Sequence, residues 1–294
     1  MMVRPEARPS SSCRGPRKRE EGDGSVIADW TFRIERLLRG PLAVRRTQLY
    51  CVGTAKSGTH SLCAMFSRNV RAGHERRAEP LIDKFFERQE GRIGEGEWRE
   101  WIHARDRELA LEVDSSWFHI LMLDVLAQDF PHARFVLTIR DCYSWLNSEL
   151  KRVLHRPTQN PRRIRMRRFL YERPGATYAP EERVLQDTAL YPIDSYLARW
   201  TAHNEQVLAT IPEERLLVVR TGQIRARAHE IADFAGLPRH AVRLERTHEY
   251  RNPVARELIR EIDRDFLEHK VAQQCRPLME RFFPDIRTVS DAKL

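Results

Sequence analysis

The stretch "TQLYCVGTAKSGTHSLCAMF", residues 47–66, decides the fold. Its opening, "QLYCVG", is an apolar run of strand length closed by Gly53, and its end places Leu62, Met65 and Phe66 at helical spacing. Between them lies a glycine-bounded loop leading into a helix, the arrangement that presents backbone N–H groups to a phosphate. In the nucleoside-triphosphate pattern G-x-x-x-x-G-K-[ST] the lysine follows the second glycine. Here Gly53 and Gly58 keep that separation and Thr59 follows, but Lys56 stands two residues before Gly58. The spacing keeps the cradle and moves its cation.

Working outward, strand-like and helix-like patterns alternate. "LALEV" (109–113) reads as a strand, followed by a helix carrying Leu121, Leu123, Val125 and Leu126. "ARFVLTIR" (133–140) has the continuous apolar run of a strand buried on both faces. A helix follows it, a long helical pattern spans about 187–210, and "ERLLVVR" (214–220) is the last clear strand. "IRARAHEIADFAGLP" reads as a helix stopped by Gly236 and Pro238. This alternation predicts an α/β fold, a three-layer sandwich with a central parallel sheet flanked by helices.

Residues 1–24 mix Pro, Ser, Gly and charge with little to bury, which predicts a disordered tail. A short amphipathic stretch follows (Trp30, Phe32, Ile34, Leu37, Leu38), and residues 25–294 are expected to form one domain. The chain carries 51 Lys or Arg against 42 Asp or Glu, and its net charge of +9 favours anionic partners without choosing among them. Most of that excess sits in "KRVLHRPTQNPRRIRMRRFLYER" (151–173), where nine basic residues face one Glu. The prolines there suggest a basic insertion at about 151–186 that attracts anions, or a solvated helix burying Ile164, Phe169 and Leu170. The five cysteines are scattered and never in C-x-x-C spacing, so neither a disulfide framework nor a thiolate metal site is expected. Without a spanning apolar run or a signal core, the expectation is a cytoplasmic protein.

Two segments together carry a family resemblance. "GTAKSGTHSL" resembles the 5′-phosphosulfate-binding loop of sulfotransferases, and "IRDCYSWLNS" resembles their 3′-phosphate-binding segment, with Arg140 at a strand end and Ser148 eight residues on. The resemblance implies a P-loop-like α/β sandwich and a donor, 3′-phosphoadenosine 5′-phosphosulfate (PAPS), that leaves as 3′-phosphoadenosine 5′-phosphate (PAP), with no metal. It assigns Lys56 to the bridging oxygen as charge collects on the leaving phosphate. Backbone N–H groups from Ser57, Gly58, Thr59, His60 and Ser61 would receive the 5′-phosphate, and Arg140 with Ser148 the 3′-phosphate. His60 stands where the family commonly has Thr, and Cys142 where it has Pro. By the residues alone, an Arg140–Asp141 pair at a sheet edge is the plainer reading of the second segment.

An attacking hydroxyl must lose its proton. "RAGHERRAEP" (71–80) offers Glu75, which aligns with the catalytic Glu of a similar "GEETR" stretch in protein-tyrosine sulfotransferases. His74 is its rival, because an imidazole titrates closer to neutrality and small-molecule sulfotransferases use a His. Asp114, Ser115 and Ser116 suit helix capping; Trp117 and Phe118 suit either the core or an acceptor platform. Arg246 and His248 could close over the donor. The acceptor is a small molecule, glycan or lipid hydroxyl, with no nucleic acid expected as a partner. A P-loop kinase using ATP and a nucleic-acid-binding protein acting through residues 151–173 are the alternatives.

Overall fold

Five short strands, all parallel, form one sheet in the order β2-β3-β1-β4-β5: β1 (Leu49–Cys51), β2 (Ala72–His74), β3 (Val113–Ser115), β4 (Arg134–Ile139) and β5 (Leu216–Arg220). The computed structural model describes residues 45–66, 70–155, 157–246 and 256–294, and residues 45–294 form one compact unit. The expected tail, the stretch from Trp30 to Leu38, Cys13 and His248 lie outside the described residues. Parallel neighbours require crossovers, which helices supply. α1 (Thr59–Phe66) links β1 to β2. α2 (Ala78–Gln89) and α3 (Glu95–Leu109) precede β3, and α4 (Leu123–Asp129) precedes β4. α5 (Cys142–His155), α6 (Pro161–Tyr171), α7 (Arg183–Asp187) and α8 (Ile193–Thr210) lie between β4 and β5. α9 (Ala228–Ala235), α10 (Arg264–Gln274) and α11 (Arg276–Phe282) follow β5 among the described residues.

Strand residues alternate between two cores, which makes three layers. Leu49, Cys51, Val113 and Val136 face a core shared with Leu62, Met65 and Phe66 of α1 and Ile231 and Ala232 of α9. Tyr50, Phe135, Leu137 and Ile139 face the larger core, with Trp98, Trp145 and Trp200. A strand buried on both sides can be apolar at every position, which is why β4 was plain in the sequence.

The structure moves one expected strand and adds another. Leu109 ends α3, and Ala110, in the left-handed region at φ 46°, turns the chain, so β3 begins only at Val113. β2 lies in the "RAGH" stretch, which has almost no apolar signal. Its Gly73 fits against Leu111, whose Cδ1 would stand 2.7 Å from an added Cβ.

The basic stretch also differs from expectation. Pro161 begins α6 and the Asn160 side chain caps it, accepting from Arg162 N at 3.0 Å. The helix buries Met166 and Tyr171; Ile164 and Leu170 are half-buried, and Phe169 is 49% exposed. Arg162 pairs with Asp83, Arg163 with Glu75 and Glu79, Arg165 with Glu90, Lys151 with Glu257 and Arg152 with Glu149. Much of the charge that looked concentrated in sequence is thereby matched by acidic residues brought from elsewhere.

At Gly53, where β1 gives way to the loop, an added Cβ would lie 2.1 Å from Thr138 Oγ1 and 2.5 Å from the Thr138 carbonyl oxygen. Thr138 is in the central strand β4 and cannot retreat, so Gly53→Ala is expected to destabilise by about 1–3 kcal/mol through overpacking. Urea unfolding of the variant beside wild type measures this.

Candidate functional site

In an all-parallel sheet every strand points its C-terminal end to one edge, and β1, flanked by β3 and β4, marks the crossover reversal where such folds bind ligands. The loop 52–58 leaves the sheet there. Its carbonyl oxygens are held from behind by donors from other elements. Trp145 Nε1 donates to Ala55 O at 2.8 Å, Thr221 Oγ1 to Ser57 O at 2.6 Å, and Ser115 Oγ to Thr59 O at 2.7 Å. The Ser57 hydroxyl donates to Thr54 O at 2.7 Å and lies 2.9 Å from Thr138 Oγ1. With its carbonyls turned inward, the loop turns N–H groups outward. Those of Gly58, Thr59 and Ser61 have no hydrogen-bond acceptor among the described residues, at the N-terminus of α1. The Ser57 N–H is already used within the loop, toward Thr54 O at 3.2 Å.

Two residues give the loop its shape. Gly58 has φ 101°, and an added Cβ would lie 2.4 Å from Ile224 Cδ1. Lys56 holds φ 67°, a left-handed conformation that costs a residue with a Cβ about 1–2 kcal/mol. Non-glycine residues in this region collect at functional sites. Glu75, at φ 50°, and Arg77, at φ 59°, share it.

Arg140 ends β4 beside this loop. Its Nε donates to Ser144 Oγ at 2.9 Å, and its NH1 lies 3.5 Å from the Lys56 carbonyl oxygen. The Asp141 carboxylate instead caps α5, accepting from Ser144 N at 2.8 Å and from the Ser144 hydroxyl, so the expected plainer pairing of Arg140 with Asp141 is not formed. Burial lowers the Arg140 pKa and Asp141 only partly counters it. The result is a half-buried guanidinium with no ion-pair partner among the described residues. Ser148, one helical turn beyond Ser144 on the same face, is half-buried, and its hydroxyl has no partner among the described residues.

On the other side of the loop, the end of β2 brings in both base candidates. His74 Nε2 is 3.2 Å from Thr59 Oγ1, and its ring meets that of His60 edge-on at 5.2 Å. Burial lowers the His74 pKa below its ordinary value, against the pull of neighbouring Glu75. Glu75 N–H donates to Ser115 O at 3.0 Å, aligning it with the end of β3, and its carboxylate lies 3.3 Å from Arg163 NH1 of α6. Lys56, Arg140, His74 and Glu75 are thus gathered around one loop.

Behind them lies a buried polar layer. Ser116 caps the turn after β3, accepting from Phe118 N at 3.1 Å, while Asp114 is not a cap. It pairs with Arg105 NH1 at 2.8 Å and faces His119 Nε2 at 3.3 Å. Burial raises the Asp114 pKa, but Arg105 and His119 outweigh it and hold the carboxyl below the usual carboxylate range. Phe118 is buried and Trp117 stacks on it, ring centroids 3.8 Å apart. The sequence did not single out Ser144, Trp145, Thr221, Arg199 or His203. Ser144 and Trp145 lay inside the second motif, whereas the others carry no local signal and matter only through contacts made far along the chain. Arg246 closes a short 3-10 turn, Leu244–Arg246. Among the described residues, no three or more His, Cys, Asp or Glu side chains are grouped to hold a metal ion, and no helix is long and apolar enough to cross a membrane.

The family model described as a sulfotransferase domain matches residues 48–223, more than half the chain. No curated protein matches. A crystal structure of a sulfotransferase from Alicyclobacillus acidocaldarius is similar at 15% identity, with TM-score 0.47, covering 81% of this chain and 96% of that one.

One consequence of the buried layer is testable by pH. His203 Nε2 lies 2.7 Å from Val52 O and its Nδ1 3.1 Å from Arg199 NH2. An arginine only donates, so Nδ1 accepts and Nε2 carries the proton. Burial and then Arg199 push the His203 pKa from 6.5 down to about 3, against the pull of the Val52 carbonyl. The folded protein therefore binds fewer protons than the unfolded chain between these values. This contribution to stability is complete above pH 6.5 and is lost as pH falls toward 3. Chemical denaturation of wild type should show a loss of about 1–2 kcal/mol between pH 7 and pH 5 that is absent from His203→Gln.

Proposed function

The chain belongs to the sulfotransferase domain family, and from that premise we propose that it transfers a sulfuryl group from PAPS to a hydroxyl of a small-molecule, glycan or lipid acceptor. One observation carries the reading: two groups that seek anions stand side by side. Among the described residues, the N–H groups of Gly58, Thr59 and Ser61 at the start of α1 have no acceptor and the Arg140 guanidinium has no ion pair, and it lies 3.5 Å from the Lys56 carbonyl oxygen of the same loop. A nucleotide with phosphate groups at both its 5′ and 3′ positions matches that pair of sites, and the residues present fit it.

When bound, PAPS supplies an electrophilic sulfur and leaves as PAP. Gly58, Thr59 and Ser61 would hold its 5′-phosphate by main-chain N–H groups, favoured by the partial positive charge at the helix terminus. The Lys56 ammonium would offset the negative charge of the leaving group. Arg140 would bind the 3′-phosphate, and Ser148 would add a hydroxyl. Glu75 accepts the proton of the acceptor hydroxyl. Its backbone is pinned to the end of β3 and its carboxylate is oriented by Arg163. His74, neutral by its lowered pKa and held by Thr59, is the second candidate for that proton. In this scheme Lys56 and the N–H groups compensate the leaving charge, so no metal ion is required and a chelator should leave the rate unchanged. The four described cysteines, all free and buried, support a reducing, cytoplasmic setting.

Calorimetry with PAP and with ATP tests the donor before the acceptor is known: PAP is expected to bind and ATP to bind far more weakly, while a preference for ATP with magnesium would favour the kinase reading. Arg140→Ala should weaken PAP by about 10- to 100-fold, the cost of losing charged hydrogen bonds. Once turnover is measured, Lys56→Ala is expected to lower kcat by roughly 10²–10³-fold, with a smaller change in PAP affinity. Glu75→Gln should lower kcat by about 10²–10⁴-fold and leave PAP binding intact; a wild-type rate would pass the role to His74.

A further inference from the structure

Arg199, on α8, belongs to none of the groups assigned above. Its NH2 is 3.1 Å from His203 Nδ1, and its guanidinium lies over the Trp117 ring, 5.9 Å from the centroid. It has no ion-pair partner among the described residues. The carboxylate nearby, that of Glu149, is committed elsewhere. Glu149 is fully buried, takes Arg152 Nε at 2.8 Å and accepts from Tyr171 OH at 3.1 Å. Burial lowers the Arg199 pKa, with Tyr171 and Glu149 only partly opposing it. A guanidinium taken from water without a carboxylate in contact is costly unless something anionic meets it.

Its surroundings say where that anion would sit. His203, which holds Arg199, also donates to the Val52 carbonyl, at the first residue of the loop. Trp117 follows the end of β3 and stacks on Phe118, and the Arg163 guanidinium lies 5.7 Å from the Phe118 centroid. Arg163 is the guanidinium that contacts Glu75. A half-buried aromatic surface is thus bordered by two arginines. One is tied to the carboxylate read as the base; the other has no ion pair among the described residues.

The geometry points to Arg199 as an acceptor-binding residue that selects acceptors carrying a carboxylate or sulfate group, with a ring of the acceptor against Trp117. The inference rests on the reading of the loop as the donor site, and assigns the remaining cation to the other substrate. A carboxylate on Arg199 gains paired, charge-assisted hydrogen bonds that a neutral amide of the same shape does not match.

The probes are 4-hydroxybenzoate and 4-hydroxybenzamide, titrated by calorimetry or ligand-observed NMR with and without saturating PAP. Wild type is expected to bind the carboxylate about tenfold or more tightly than the amide. Arg199→Gln, which keeps a donor for His203, should abolish that preference and leave PAP affinity within about twofold, since no charged contact to the donor is removed. Arg199→Lys should retain part of the preference, because it keeps the charge but not the fork. Thermal melting of each variant separates loss of recognition from loss of the fold. Equal affinity of wild type for the two probes overturns the inference while leaving the donor reading intact. A PAP affinity that falls in Arg199→Gln as far as the carboxylate affinity does also overturns it, by moving Arg199 to the donor. Absence of PAP binding to wild type sinks the donor reading instead, and the preference measured without PAP still decides the role of Arg199.

Discussion

The site depends on the inward fixing of the loop carbonyls. A loop between a strand and a helix has as many acceptors as donors, and left alone it presents both. Here Trp145 from α5, Thr221 from the end of β5, Ser115 from β3 and Ser57 from within the loop each take a carbonyl oxygen. Each bond is worth only about 1 kcal/mol net, but leaving such a carbonyl buried and unpaired would cost about 1–3 kcal/mol. The larger effect is directional. Carbonyls committed to the protein leave N–H groups to face the ligand edge, and the left-handed turn at Lys56 helps curve the chain around them.

The same logic extends one step into the sheet. β1 ends at Cys51, whose carbonyl still accepts from Ser116 N at 3.2 Å, and the next carbonyl, that of Val52, has no main-chain donor among the described residues where the loop departs. His119 Nδ1 lies 2.9 Å from Cys51 O, and His203 Nε2 lies 2.7 Å from Val52 O. Both rings are fully buried. They come from segments after β3 and on α8, so the strand end is braced from two directions. Each histidine is itself backed by a charge, His119 by Asp114 at 3.3 Å and His203 by Arg199. These ion-bearing positions lie under the ligand edge, where pure apolar packing would leave the Val52 carbonyl without a donor.

What the sequence made legible follows from how local each signal was. β1, the loop and α1 are contiguous, and their pattern of apolar run, glycines and helical spacing is complete within twenty residues. β4 and Arg140 were equally plain, because a strand buried on both faces is continuously apolar. β2 was hidden since its three residues, Ala72, Gly73 and His74, carry no strand propensity and pair by fitting Gly73 against Leu111. The basic stretch misled for a related reason. Its charge is local in sequence, but the Asp83, Glu79, Glu90 and Glu257 that match it are 75 or more positions away, beyond the reach of any window. Ser144 carries no separate signal in the sequence, yet from the first turn of α5 its hydroxyl contacts both Arg140 and Asp141.

The balance of charge at the edge gives the arrangement its chemical sense. Lys56, Arg140 and Arg199 border the loop and the strand end, and neither Arg140 nor Arg199 has an ion pair among the described residues. The carboxylates nearby are engaged: Glu75 with Arg163, and Glu149 with Arg152 and Tyr171. Folding around uncompensated arginines is unfavourable by itself, and proteins remove such groups unless a ligand returns the energy. A substrate with several negative charges would do so, and its affinity would come from ending an imbalance built into the folded protein as well as from new contacts. The left-handed backbone at Lys56 and Glu75 works in the same direction. Their conformational cost is met when the chain folds, so the backbone that carries the two side chains does not have to be ordered when substrate arrives.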